Sequence, residues 1–150
     1  MKYAHTNIVS QDWKKLADFY IKVFNCKAVP PERDLSGDWL EKATKIKNPH
    51  LRGMHLRLPG YGDEGPTLEI FQYDEMLEKV AFPAANRIGL GHLAFEVEDV
   101  GEAIKLLVQN GGNELGEVVS KEIKGVGILN FTYATDPEGN IVEIQSWEKY

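Results

Sequence analysis

The decapeptide Gly91 to Val100, GHLAFEVEDV, has a counterpart earlier in the chain, Ala4 to Trp13, AHTNIVSQDW. Superposing them places His5 on His92, Asp12 on Asp99 and Trp13 on Val100. A second pair, DEGPTLEIFQY from Asp63 to Tyr73 and PEGNIVEIQSW from Pro137 to Trp147, places Glu64-Gly65 on Glu138-Gly139 and Glu69 on Glu143. Such repetition marks a chain built from two copies of one supersecondary unit. Each copy has a histidine near its start and a glutamate near its end. The two offsets differ by about 13 residues, so the first copy carries an insertion of that size. Ser36 to Asn48 is its expected place.

Hydrophobic periodicity assigns the elements. Tyr3 to Val9 reads as a strand. From Trp13 the apolar residues Leu16, Ala17, Tyr20, Val23 and Phe24 recur three and four apart, with Lys14, Lys15, Asp18 and Lys22 on the other face. This predicts an amphipathic helix capped by Asp12 or Ser10 and ending near Asn25. Cys26 to Val29 begins a strand that Pro30-Pro31 limits to an edge or a bend. Ser36 to Lys47 reads as a short helix or ordered loop covering one side of a pocket. Strands follow at Leu51 to Leu58 and Thr67 to Tyr73.

The order then repeats: a strand at Leu90 to Val97 and a helix from Asp99 with the stripe Val100, Ala103, Ile104, Leu107 and Val108, stopped by Asn110-Gly111-Gly112. Strands near Glu114 to Ile123, Gly127 to Ala134 and Asn140 to Trp147 complete it, the last two joined by the turn Asp136 to Asn140. The expected architecture is α+β, two tandem β-α-β-β-β modules over 1–75 and 89–150, with a linker over 76–88. A sheet with one helix on one face needs its other face covered by a second sheet, a partner or a ligand.

Residues two apart on a strand share a face. Glu69 then points with Phe71 and Tyr73, away from Leu68 and Ile70; Glu143 points with Gln145 and Trp147, away from Val142 and Ile144. His92 goes with Ala94 and His5 with Asn7. The helices need the apolar sets, so the two histidines and two glutamates fall on the other side. Two imidazoles and two carboxylates are a fitting donor set for a divalent transition metal, with two octahedral positions left for water or substrate. Such a metal polarises a carbonyl, and a carboxylate that loosens from it can remove a neighbouring proton. His50 and His55 have no repeat partner and read as ordinary hydrogen-bonded residues.

Composition narrows the partners. A formal net charge of −6 argues against nucleic acid or an anionic membrane. The apolar runs are too short to span a bilayer, and the stretch after Met1 has no signal-peptide core, which sets a cytoplasmic expectation. Cys26, the single cysteine, cannot form an internal disulfide and reads as a small core residue.

His5-Thr6, the helix segment LADFYIKVFN, the GHLAFEVEDV strand and the closing DPEGNIVEI together resemble the vicinal oxygen chelate superfamily, which includes glyoxalase I, methylmalonyl-CoA epimerase, extradiol dioxygenases and bleomycin-binding proteins. The resemblance covers essentially the whole chain. It implies an open, cupped sheet with helices on the convex face, a homodimer, and one divalent ion per site held by His5, Glu69, His92 and Glu143. Nickel, cobalt, zinc or manganese suits that set, and iron if the chain is a dioxygenase. The activity implied is that of a metal-dependent lyase or isomerase acting on a small substrate, with Glu143, or alternatively Glu69, as the proton acceptor. An acyl-CoA epimerase and an extradiol dioxygenase using His5, His92 and Glu143 are the alternative enzymes. A non-catalytic binding protein is the alternative from another class.

Asn7, Trp39, Phe71, Tyr73 and Trp147 are the expected substrate-lining residues, and Arg87 is a candidate for an anionic substrate group beside Arg52 and Arg57. The chain departs from bacterial glyoxalase I at Val9, where that enzyme has an arginine for the glutathione carboxylate, and at Phe71-Gln72-Tyr73, where an asparagine is usual.

Overall fold

Asp12 and Asp99 mark the two points where strand gives way to helix. The Asp12 carboxylate accepts from the Lys15 N–H at 3.1 Å, and the Asp99 carboxylate accepts from the Glu102 N–H at 2.9 Å. Each satisfies a backbone donor that the first helical turn leaves unpaired. In the computed structural model, which describes residues 1–79 and 82–150, these helices belong to two compact units, Met1–Val80 and Ala81–Tyr150. The expected linker 76–88 includes residues 80 and 81, which lie outside the described residues. Its described part contains no helix or strand.

The first unit runs β1 (His5–Val9), α1 (Trp13–Phe24), β2 (Lys27–Ser36), α2 (Asp38–Thr44), β3 (His50–Arg57) and β4 (Thr67–Tyr73). Its sheet has the order β1-β4-β3-β2. The helix α1 buries Leu16, Ala17, Phe19, Tyr20, Val23 and Phe24, and the sheet contributes Ile8, Leu56, Leu68 and Ile70 to the buried set. Phe19 and Tyr20 meet edge to face at 5.2 Å between centroids, a favourable aromatic geometry. Asn25 closes the helix in the left-handed conformation, and the Cys26 N–H donates back to the Tyr20 carbonyl at 3.3 Å. Cys26 is buried, which pushes its thiol pKa up to about 12. The thiol is therefore neutral and inert near pH 7.

The second unit runs β5 (Leu93–Glu96), α3 (Val100–Gln109), β6 (Asn113–Glu114), β7 (Val119–Ile123), β8 (Gly127–Thr135) and β9 (Ile141–Lys149). Its sheet has the order β5-β9-β8-β6, with β7 also pairing β8. In both units the first strand pairs in parallel with the last, and the remaining pairings are antiparallel. The mixed α+β class and the doubled β-α-β-β-β order are as expected.

Three boundaries differ from expectation. The strand begun at Cys26 to Val29, which Pro30-Pro31 was expected to limit to an edge or a bend, runs on to Ser36. It does so as an edge strand whose register breaks between Val29 and Arg33 and then resumes, so the missing proline donors leave no internal strand unpaired. The single strand expected near Glu114 to Ile123 is divided into β6 and β7. Leu115 and Gly116 both donate to the Tyr133 carbonyl there, the signature of a bulge. The strand expected from Leu90 begins only at Leu93, which leaves His92 just ahead of it. The insertion is seen as α2 between β2 and β3, where the second unit has only a short turn between β7 and β8.

Candidate metal centre

The pairings fix which side chains meet. On β1, β4 and β3 the residues Asn7, Glu69 and His55 lie in one cross-strand row, and His5, Thr67 and Arg57 lie in the next. Leu68 and Ile70 turn to the core, so Glu69 faces the opposite side, as the alternation predicts. Glu69 is nonetheless only 8% exposed, a degree of burial that an ionised carboxylate tolerates only with polar partners. It has three. His5 Nδ1 lies 3.4 Å and His55 Nε2 lies 3.0 Å from its Oε1, and Asn7 Nδ2 donates to its Oε2 at 3.5 Å.

His55 was expected to be an ordinary residue, and the fold places it against Glu69. Its Nδ1 is 3.2 Å from Thr67 Oγ1. Because a carboxylate only accepts, Nε2 carries the proton and Nδ1 receives the Thr67 hydroxyl. Burial holds the His55 pKa below the ordinary imidazole value, with the charge of Glu69 working the other way and that of Arg33 adding to the lowering. Its ring also meets Phe71 edge to face at 5.8 Å. The signal in sequence was the alternation Gly53, His55, Arg57 against Met54 and Leu56. It becomes decisive only once β3 is known to pair with β4 in this register.

The second unit repeats the arrangement with two changes, one of them Ala94 in register with Glu143 where Asn7 is in register with Glu69. His92 Nε2 lies 3.3 Å from Glu143 Oε2, and Glu143 pairs across to Tyr133 on β8 as Glu69 pairs to His55. Tyr133 therefore stands where His55 stands, and sequence reasoning passed over it too. Its ring lies 5.2 Å from that of His92. Burial, then the Glu143 charge and a hydrogen bond with Glu143, raise its pKa and keep the phenol protonated.

The other expected site residues are scattered. Phe71 sits on the Glu69 side and Tyr73 two residues further along, opposite Leu51. Trp39 is exposed on α2. Trp147 donates to Gln145 Oε1 at 3.2 Å and lines an open groove of about 560 Å³ at the start of α3, which neither His92 nor Glu143 lines. Arg87 donates to the Phe82 carbonyl at 3.1 Å. Arg52 pairs with Asp74, and Arg57 pairs with Asp63. His50 bridges Asp34 at 2.6 Å and Asp74 at 2.7 Å, contacts that raise its pKa, the Asp34 hydrogen bond foremost.

The donor spacing can be tested against a divalent ion. Imidazole nitrogen and carboxylate oxygen bind at about 2.0–2.2 Å, which puts neighbouring donors roughly 3.0 Å apart at octahedral angles and about 3.4 Å apart at tetrahedral ones. The His5–Glu69 and His92–Glu143 separations of 3.4 and 3.3 Å suit a shared ion. Among the described residues no three histidine, cysteine or acidic side chains form a ready cage. Each unit offers a pair.

A family model, the Glyoxalase/Bleomycin resistance protein/Dioxygenase superfamily, matches residues 2–144. The chain belongs to this superfamily. Among curated proteins it is 28% identical over 145 residues to the lactoylglutathione lyase of Escherichia coli O157:H7, covering 96% of this chain and 91% of that one. The lactoylglutathione lyase of Shigella flexneri matches to the same extent. A glyoxalase family protein from Bacillus cereus superposes with a TM-score of 0.76 at 17% identity, over 98% of this chain and 93% of that one. A glyoxalase/bleomycin resistance protein/dioxygenase family enzyme from Burkholderia phytofirmans PsJN superposes with a TM-score of 0.58 at 14% identity, over 99% and 100%. These two likenesses speak to the glyoxalase fold alone. Among the described residues no helix is long and apolar enough to cross a membrane.

Proposed function

We propose that this superfamily member is a metal-dependent lyase or isomerase of glyoxalase type, acting by proton transfer next to a carbonyl of a small substrate. The observation that carries the reading is the recurrence, in each unit, of a largely buried glutamate beside a histidine at metal-sharing distance. His5, Glu69, His92 and Glu143 are the residues that would hold the ion. Each unit supplies one histidine–glutamate pair to this proposed set, and the likeness to lactoylglutathione lyases supports the reaction class. Bound by these donors, a divalent ion supplies Lewis acidity to a substrate oxygen.

The two carboxylates differ in how they are held. Glu69 has both oxygens engaged, by His5 and His55 on one and Asn7 on the other. That arrangement suits a fixed ligand. Glu143 has His92 and the Tyr133 phenol beside it. It is the better candidate to accept a proton, with Tyr133 stabilising the carboxylate between turnovers. On β1, Val9 lies in register with Phe71 and is about half exposed. Val9 itself supplies no cation for a glutathione carboxylate, which makes glutathione one thiol among several to be assayed.

The test is turnover of hemithioacetals formed from 2-oxoaldehydes and small thiols by protein reconstituted with nickel, cobalt, zinc or manganese. Glu143→Gln should lower kcat by about 10²-fold or more while some metal is retained, and more severely per bound ion than Glu69→Gln does. Activity per bound ion that survives Glu143→Gln would contradict the assignment.

A further inference from the structure

Arg33 was not singled out in the sequence. It lies on β2 immediately after the register break, opposite Gly53. Partners across a ladder share a face, so Arg33 stands on the same side as His55 and Glu69. Across the sheet the row reads Arg33, Gly53, Phe71 and Val9; the adjacent row holds His55, Glu69 and Asn7. Gly53 has no room for a side chain, since a Cβ would lie 2.1 Å from the Ile70 carbonyl oxygen and 2.5 Å from Phe71 Cδ1. The Phe71 ring therefore leans over the glycine. The result is an aromatic floor with Glu69 and His55 at one end and a guanidinium at the other.

The charge of Arg33 is not neutralised locally. Arg52 and Arg57 are paired with Asp74 and Asp63, whereas Arg33 donates to the Pro31 carbonyl and makes no ion pair among the described residues. Its neighbour Asp34 is taken by His50. An uncompensated cation beside a site, in a chain of net charge −6, is a local attraction set against an overall field that repels anions.

We infer that Arg33 receives an anionic end of the substrate, a carboxylate lying over Phe71 several bonds from the group that reacts. This rests on the reading of His5 and Glu69 as metal ligands. Two strand spacings and one side-chain repeat separate Arg33 from Glu69, about 12 Å between Cα atoms. Once the arginine side chain spans part of that gap, a short acyl chain fills the rest. The planar fork of arginine suits a carboxylate better than a lysine would.

The experiment titrates Ni²⁺-loaded protein calorimetrically with 2-oxoglutarate, a chelating 2-oxo acid with a distal carboxylate, and with its 5-methyl ester. Wild type should bind the diacid about tenfold more tightly than the ester. Arg33→Gln should bind both at the ester's affinity with its nickel content unchanged. Lys27→Gln, which removes another positive charge from the same edge strand, should keep the preference. A preference that survives in Arg33→Gln, or is missing from nickel-loaded wild type, overturns the assignment. Failure of wild type to take up nickel would instead overturn the metal-dependent reading on which it rests.

Discussion

Glu69 and Glu143 occupy equivalent places, yet the residue that faces each across the ladder differs, His55 in one case and Tyr133 in the other. A histidine whose far nitrogen is fixed by Thr67 holds its carboxylate in one orientation. The Tyr133 phenol gives Glu143 a hydrogen bond but has no second ring atom pinned as Thr67 pins His55. Groups that orient metal-binding carboxylates typically change metal affinity by about 10–100-fold when removed. His55→Ala should therefore weaken binding of Zn²⁺ by that range in a competition titration with a chromophoric chelator. Tyr133→Phe should change it far less. Equal effects of the two substitutions would show that the difference between the units is only one of packing.

Elements follow from local rules that the sequence displays openly. Asp12 and Asp99 precede helices because their side chains bond the N–H three residues on, and Asp136 closes the β8–β9 turn by accepting from the N–H groups of Glu138 and Asn140, both at 2.9 Å. Loss of such a helix cap costs typically about 1 kcal/mol. Asp99→Ala should lower the urea midpoint by a corresponding amount without changing the slope of the transition, and an unchanged midpoint would mean that the cap is replaced by solvent. Alternation on β4 and β9 likewise put Glu69 and Glu143 on the correct faces. What alternation cannot show is register between strands distant in sequence. His55, Tyr133 and Arg33 gain their positions from the β3–β4, β8–β9 and β2–β3 pairings, and a bulge in β2 intervenes before Arg33. Those residues were invisible as site residues for that reason. The repeat exposed the histidine–glutamate pairs because it compares positions without needing to know what lies beside them.

At the scale of the whole chain, the doubled unit and the superfamily match over residues 2–144 establish the family, and the proposed metal-dependent function rests on the histidine–glutamate pair in each unit. The acidic balance of the chain suits a cation as the resident ligand and makes a recruited anion depend on particular arginines. The most direct measurement is elemental analysis of protein purified without chelator, for wild type and for the double variants His5→Ala/Glu69→Ala and His92→Ala/Glu143→Ala. The account predicts a near-stoichiometric divalent transition metal in wild type and its loss from both variants. A wild type that stays free of metal after soaking, or metal retained in both variants, would contradict it.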